Sequence, residues 1–335
     1  MELSPTTTGD AASDLGLVGR SAALLRVRDA VEKIARAPRT TVLITGESGT
    51  GKELVARAIH ERSNRRTGPF VAVNCAALSA ELFASELFGH EAGAFTGALP
   101  KGRKGLLAAA EGGTLLLDEI GELGPAVQAQ LLRVLQERVY RPVGGTRDIP
   151  MDVRIVAATH RDLQELVAAD RFREDLWYRL NVASIHLPPL RERATDVPDL
   201  CRHILDRIAI EHGSGPIAIQ ADALDDLGRR DWSGNVRELA HALERAAIRS
   251  GGAQVEREHL DSETIAVSRP SKSSNDDRLV LEVEGLSIQA VERSLIARVM
   301  TESGGNRSLA ARTLGVHRAT LYGKLRAHGL AAPVG

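Results

Sequence analysis

The sequence predicts an α/β fold: a parallel sheet covered by helices, then a helical lid and, past a polar linker, a small all-α domain. Three observations predict it. Short apolar runs alternate with amphipathic stretches from about residue 17 onward; the strand-like runs cease after about Asp196 while helical patterns continue; and the positive charge is concentrated at the end. A chain of 335 residues exceeds one ordinary domain, since domains run about 100–200 residues. With 43% hydrophobic and 26% charged residues it can bury a sizeable core, and wholesale disorder is excluded.

The first 16 residues form a polar lead. MELSPTTTGDAASD lacks a basic n-region and an apolar h-region, so it is not a secretory signal. No apolar run approaches the ~18 residues of a membrane span. Cys75 and Cys201 have no CxxC spacing, so they are expected as buried free thiols in a reducing, cytoplasmic setting. From 17 to 190 the candidate strands are Thr41–Thr45, Phe70–Cys75, Thr114–Leu117, Val153–Thr159 and Ala183–Leu187. They are β-branched or Leu-rich on both faces, as parallel strands covered by helices require. Pro125–Val139 sets Leu131, Leu135 and Val139 at i, i+4 spacing, an amphipathic helix. The alternation is βα, which calls for a layered parallel sheet. The lid, 191–262, is expected as helices over Asp196–His212, Ala221–Arg229 and Asn235–Ser250. Residues 263–285 are Ser-rich at first and read as a linker.

The strand TVLIT runs into Gly46-Glu47-Ser48-Gly49-Thr50-Gly51-Lys52, and the helical pattern ELVARAIHE follows. Gly-x4-Gly-Lys between strand and helix is a P-loop arrangement. Its glycines let backbone N–H groups close around phosphates, the helix N-terminus favours anions, and Lys52 reaches the terminal phosphates. Glu53 stands where a Ser or Thr hydroxyl usually binds Mg²⁺. A glycine-rich turn with a surface lysine is the bland alternative, and the flanking strand and helix argue against it. A second apolar strand ends in Asp118 and Glu119, the Walker B form. Acids at the carboxyl end of a parallel strand face the ligand crevice. Asp118 is expected to hold Mg²⁺, and Glu119 to orient or deprotonate the attacking water. ATP binding and hydrolysis follow as expectations.

The net charge of −1 conceals a gradient. From 286 to 330 seven Lys or Arg face only Glu292 and Glu302, a tail of +5, which leaves about −6 for the rest. Asn306–Leu314, Gly315-Val316 and His317–His328 read as helix, glycine turn, helix, the spacing of a helix-turn-helix. Leu314, Leu321 and Leu325 are expected inside. Arg318 and Tyr322, with Thr320 between them, would face the major groove, while Lys324, Arg326 and Arg307 are better placed for phosphates. The preceding helix offers Ile288, Val291, Leu295 and Val299 as an apolar stripe for core or dimer packing.

FGHEAGAFTGA, at 88–98, contains the GAFTGA signature, Gly93, Ala94, Phe95, Thr96, Gly97 and Ala98. With GESGTGKE it makes the chain resemble the sigma-54-dependent transcriptional activators, AAA+ ATPases that end in a Fis-type helix-turn-helix. The resemblance runs from LVGR at 17–20 through DWSGNVRE at 231–238 into the tail. It implies that Glu53 is normal after the P-loop lysine and that Asn74 is the switch residue reporting the γ-phosphate to Glu119. Thr159 matches the first sensor, followed by His160 where relatives often have Asn. Arg173 and Arg179, in FREDLWYRL, match arginines that reach the neighbouring subunit's site, and Arg237 matches the second sensor. The family's form is a hexamer. The GAFTGA loop, with Phe95 central among small residues, is implied to engage sigma-54, and RPVGG at 141–145 resembles its supporting loop. Ser233, where relatives often have Pro, and Ala108, near a commonly acidic position, are departures.

The implied activity is an ATP-driven activator that binds enhancer-like double-stranded DNA, assembles from dimers to a hexamer, and opens promoters held by the sigma-54 RNA polymerase holoenzyme. A regulator using nucleotide only as a switch, and a replication-initiator-like AAA+ protein, are alternatives. Glu119, Arg173, Arg179 and GAFTGA favour the first. Many relatives carry a sensory domain before the ATPase, where only about 16 residues stand here. Control is therefore expected from a separate regulatory protein or from expression level.

Overall fold

Alternation of side chains along each strand decides which residues meet which helices. A computed structural model describes residues 16–77, 79–94, 102–260, 288–304 and 306–330. Five strands form the central sheet: β1 (Val42–Thr45), β2 (Phe70–Asn74), β3 (Thr114–Asp118), β4 (Arg154–Thr159) and β5 (Ala183–His186). Their order is β2-β3-β4-β1-β5 and every pairing is parallel. Leu43, Leu115, Leu117, Ile155 and Ala157 share one face with Phe83, Leu87, Leu131, Leu135 and Leu176. Val42, Ile44, Leu116, Val156 and Ala158 take the other, against Leu24, Val27, Val31, Val55 and Ile59. That is the period of two expected of a strand, with helices on both faces. The edge strand β2 is the exception, since its residues are only half-buried or exposed.

The helix at Pro125 stops at Glu137, short of the expected Val139, because Arg138 adopts a left-handed conformation (φ 58°). Val139 opens a two-residue strand instead, paired with Ile149–Pro150. In the lid, helices Val197–His212, Ala221–Arg229 and Asn235–Arg249 pack a separate core that includes Cys201, Leu205, Trp232, Leu239 and Leu243. Both cysteines are buried and free. Among the described residues no helix is long and apolar enough to cross a membrane.

The carboxyl-terminal residues form a second compact unit. Its helices are Ile288–Glu302, Arg307–Thr313 and Arg318–Ala327. Asn306 caps the second, accepting from the backbone N–H of Ser308 and Leu309, and Gly315 turns the chain at φ 66°. Leu321 and Leu325 are buried as expected, and Leu314 is partly so. The first helix meets expectation in part: it buries Val299, adds Ile296, and leaves Val291 44% exposed. Leu295, also of the expected stripe, packs against that core.

Candidate functional site

Three glycines with positive φ shape the turn after β1, Gly46 at 148°, Gly49 at 77° and Gly51 at 104°. The turn delivers Lys52 to the first position of helix Lys52–Glu61. Lys52 is buried, and its Nζ donates to the carbonyls of Gly46 (2.9 Å) and Glu47 (3.1 Å). Burial pushes its ammonium pKa down, opposed by the nearby carboxylates of Glu119 and Asp118. Thr50 Oγ1 closes the turn on Glu47 O at 2.8 Å. Asp118 ends β3 and Glu119 follows it. Burial, and then repulsion from Glu119, pushes the Asp118 carboxyl above its ordinary range. Asn74 lies beside Asp118 in the sheet register, its Oδ1 accepting from Ala76 N at 2.8 Å.

These elements line one cavity of about 550 Å³. Ser48, Gly49, Gly51, Lys52, Glu53, Asn74, Asp118 and Glu119 form one wall, and Ile204, Ile208, Val236 and Arg237 of the lid form the other. Arg207, Glu211, His241 and Glu244 of the lid also line it, so that wall mixes apolar and charged side chains. Thr159 is buried at the end of β4, its Oγ1 accepting from Arg161 N, and does not line the cavity. Neither do Arg173 and Arg179. Arg173 stands exposed at the start of helix Glu174–Leu180, bonded through Nε and Nη2 to Asp175 at 3.0 and 2.7 Å. Arg179 donates to Leu135 O. Glu53 pairs with Arg57 one turn on, at 3.2 Å.

Glu47 behaves differently from its neighbours in the turn, because its side chain faces the lid. Arg191 donates to both its oxygens at 2.9 and 2.6 Å, and Asn235 Nδ2 at 3.0 Å. Those bonds, Arg191 first, hold its pKa at about 2. Whatever this contact adds to stability is present above the ordinary carboxylate range and lost as pH falls toward 2. Asn235 is buried at φ 55°; its Oδ1 accepts from Leu190 N at 2.7 Å and its Nδ2 also donates to Ser48 O at 3.0 Å. Arg193 Nη2 reaches Thr50 O, Arg237 Nη1 reaches Ser48 Oγ, and Val236 N donates to Gly49 O. The lid therefore grips the turn from behind. Asn235→Ala is expected to cost about 2–4 kcal/mol, from lost buried hydrogen bonds and a left-handed backbone without its asparagine. Urea denaturation reads it, and an unchanged midpoint would remove this pin.

Sequence reasoning missed Arg191, Arg193, Asn235 and the partner of Glu119. Glu119 Oε2 lies 2.6 Å from His160 Nδ1, while Asn74 Oδ1 accepts from Ala76 N. The lid arginines left a run of charge right after β5, and Asn235 lies within the DWSGNVRE stretch. Among the described residues no group of three or more His, Cys, Asp or Glu converges on a metal position.

Of the GAFTGA residues, Gly93 and Ala94 are described, and Phe95, Thr96, Gly97 and Ala98 lie outside the described residues. The base of that segment is tied down. Gly89–His90 pairs antiparallel with Arg103–Lys104. Val143, in the RPVGG segment, donates to Gly89 O at 2.8 Å and accepts from Glu91 N at 3.0 Å. In the carboxyl-terminal unit Arg318, Thr320, Tyr322 and Arg326 are exposed on the last helix. Arg307 lies over the Tyr322 ring, 5.0 Å from its centroid, and donates to its hydroxyl at 3.1 Å. Lys324, expected at phosphate, is paired instead with Glu292, which also accepts from His328 at 3.1 Å. The last helix packs its inner edge on the first, so a cation there finds an acid within its own domain.

Comparison with known proteins gives three family matches. The model described as Sigma-54 interaction domain matches residues 17–186, the AAA+ ATPase lid domain 191–277, and the Bacterial regulatory protein, Fis family, 287–328. The transcriptional regulatory protein ZraR of Escherichia coli (strain K12) is 46% identical over 314 residues, covering 94% of this chain and 69% of that protein. The C4-dicarboxylate transport transcriptional regulatory protein DctD of Pseudomonas aeruginosa is 47% identical over 314 residues, covering 94% and 64%. A crystal structure of NtrX from Brucella abortus in complex with ATP superposes with a TM-score of 0.68 at 36% identity, covering 93% of this chain and 69% of the other.

Proposed function

The chain belongs to the sigma-54-dependent transcriptional activators, AAA+ proteins ending in a Fis-type helix-turn-helix, and from that premise we propose that it hydrolyses ATP to open sigma-54 promoters. One observation carries the reading: Lys52, Asp118, Glu119 and Arg237 line one cavity, closed behind by a lid that holds the phosphate-loop backbone. The nucleotide complexes of NtrX support ATP as the ligand.

The backbone N–H groups from Gly46 to Lys52 and the Lys52 ammonium would bind the phosphates. Asp118 fits Mg²⁺: it is an oxygen donor whose charge, disfavoured by burial, a cation would restore. Bound there, Mg²⁺ supplies charge neutralisation on the phosphates. Glu119 takes the proton of the attacking water, and Asn74 and Thr159 sense the nucleotide state. Arg237 acts from the lid, and Arg173 and Arg179 act on a neighbouring subunit's nucleotide in a ring built from dimers to a hexamer. The 93–98 segment then engages the sigma-54 holoenzyme, while Arg318, Thr320 and Tyr322 read double-stranded DNA and Arg326 anchors phosphate.

Thr96→Ala tests the coupling. It is expected to keep ATP turnover within about twofold of the parent while open-complex formation at a sigma-54 promoter falls at least ~10²-fold, read by permanganate footprinting. Full transcription by that variant would end the role assigned to the loop.

A further inference from the structure

A carboxylate that accepts a proton from water must present one oxygen at a fixed place. The last torsion of a glutamate is broad and roughly two-fold, so the side chain does not fix that oxygen unaided. At Glu119 the surroundings do. The residue leaves β3 in a left-handed conformation, φ 55° and ψ 47°, which non-glycine residues rarely adopt. On the neighbouring strand β4 the chain emerges at Thr159, and the next residue is His160. Both hydrogen bonds to the Glu119 carboxylate come from His160 and both fall on Oε2: Nδ1 at 2.6 Å and the backbone N at 3.4 Å. Among the described residues no hydrogen bond engages Oε1. Glu119 lines the cavity and His160 does not. The Glu119 side chain is 17% exposed and that of His160 41% exposed, so the imidazole approaches from the solvent side. The other neighbour, Asn74, directs its Oδ1 to Ala76 N.

We propose that His160 is the positioning residue of Glu119, clamping Oε2 so that Oε1 is the oxygen presented to the attacking water. This rests on the reading of Glu119 as the proton acceptor. The clamp is a charge-assisted hydrogen bond, roughly twice as strong as a neutral one, and it holds the carboxylate against rotation without touching the nucleotide. Its loss therefore lowers the rate of the chemical step and leaves nucleotide binding alone.

The test is steady-state ATPase kinetics on the full chain with His160→Ala, His160→Asn and Glu119→Gln, alongside thermal unfolding. His160→Ala is expected to lower kcat about ten- to hundredfold, the usual range for an outer partner of a functional ligand, with KM for ATP within about twofold and the melting midpoint unchanged. His160→Asn keeps an N–H donor and is expected to recover most of the lost kcat. In the Glu119→Gln background His160→Ala is expected to add no further loss. A folded His160→Ala protein with parental kcat overturns the proposal, as does an effect confined to KM, or an Asn variant no better than Ala. If Glu119→Gln itself turns over ATP like the parent, the assignment of Glu119 is what fails. If Glu119→Gln is dead and His160→Ala is unimpaired, only the positioning role fails.

Discussion

Arg173→Ala is expected to lower ATP turnover by at least ~10³-fold while leaving nucleotide binding nearly intact, because an arginine supplied to the transferred phosphoryl group contributes about 10³–10⁵ in rate. The structure gives the reason to look between subunits. Arg173 is exposed, lies outside the cavity of its own chain, and its guanidinium is bonded to Asp175 two residues away. An exposed ion pair of this kind contributes about 0–1 kcal/mol, so Asp175 is expected to surrender the guanidinium to a more highly charged phosphate. Mixing decides whether the action is in trans. Lys52→Ala lacks a working site but keeps its arginine, and Arg173→Ala has the converse defect. Neither is active alone, yet an equal mixture is expected to regain a substantial fraction of turnover, since some sites pair an intact cradle with an intact arginine. The measurement is phosphate release at fixed total protein. A mixture no faster than the sum of its parts would sink the intersubunit reading, and a robust rate from Arg173→Ala alone would refute the finger.

The contrast between what the sequence revealed and what it hid follows contact distance along the chain. Lys52 was legible because strand, turn and helix are contiguous, and three glycines with positive φ leave few other conformations for that turn. Asp118 was legible because an apolar run ending in an acid is a local pattern, and the two-residue period sorted Leu115 and Leu117 from Leu116 onto opposite faces. The partners were not legible. His160 meets Glu119 across 41 residues and Arg191 meets Glu47 across 144. Such pairings depend on strand order and on where the lid lands, neither of which leaves a periodic trace. Glu47 shows the consequence: its place in the phosphate loop suggested a nucleotide contact, and its side chain serves the lid. In the stripe expected on the first helix of the small domain, Val291 departs for a related reason. Several apolar positions on that helix compete, and only the packing of the following two helices selects Ile296 beside the expected Val299.

The same distance effect changes which cations should govern DNA affinity. Binding is expected to weaken with salt at a logarithmic slope of about −0.9 per phosphate neutralised. With roughly two to four phosphate contacts in each bound domain, affinity falls about 10- to 150-fold between 50 and 200 mM salt. ATP turnover measured without DNA is not expected to follow that slope. Lys324 looked equivalent to Arg326 on sequence alone, yet Glu292 already neutralises it within the domain, and the same contact holds the Glu292 carboxyl below its usual range. Arg326→Ala is therefore expected to make the slope shallower by about 0.9 with little change in sequence preference. Lys324→Ala should leave the slope almost unchanged and act instead on the stability of the small domain, where it frees Glu292 from its cation. Arg318→Ala, on the exposed face beside the stacked Arg307–Tyr322 pair, is expected to cost about 1–3 kcal/mol of discrimination between specific and random duplex. Fluorescence anisotropy across a salt series separates the three. A Lys324→Ala slope change as large as that of Arg326→Ala would mean that DNA displaces Glu292, and that the pair is a switch thrown by binding.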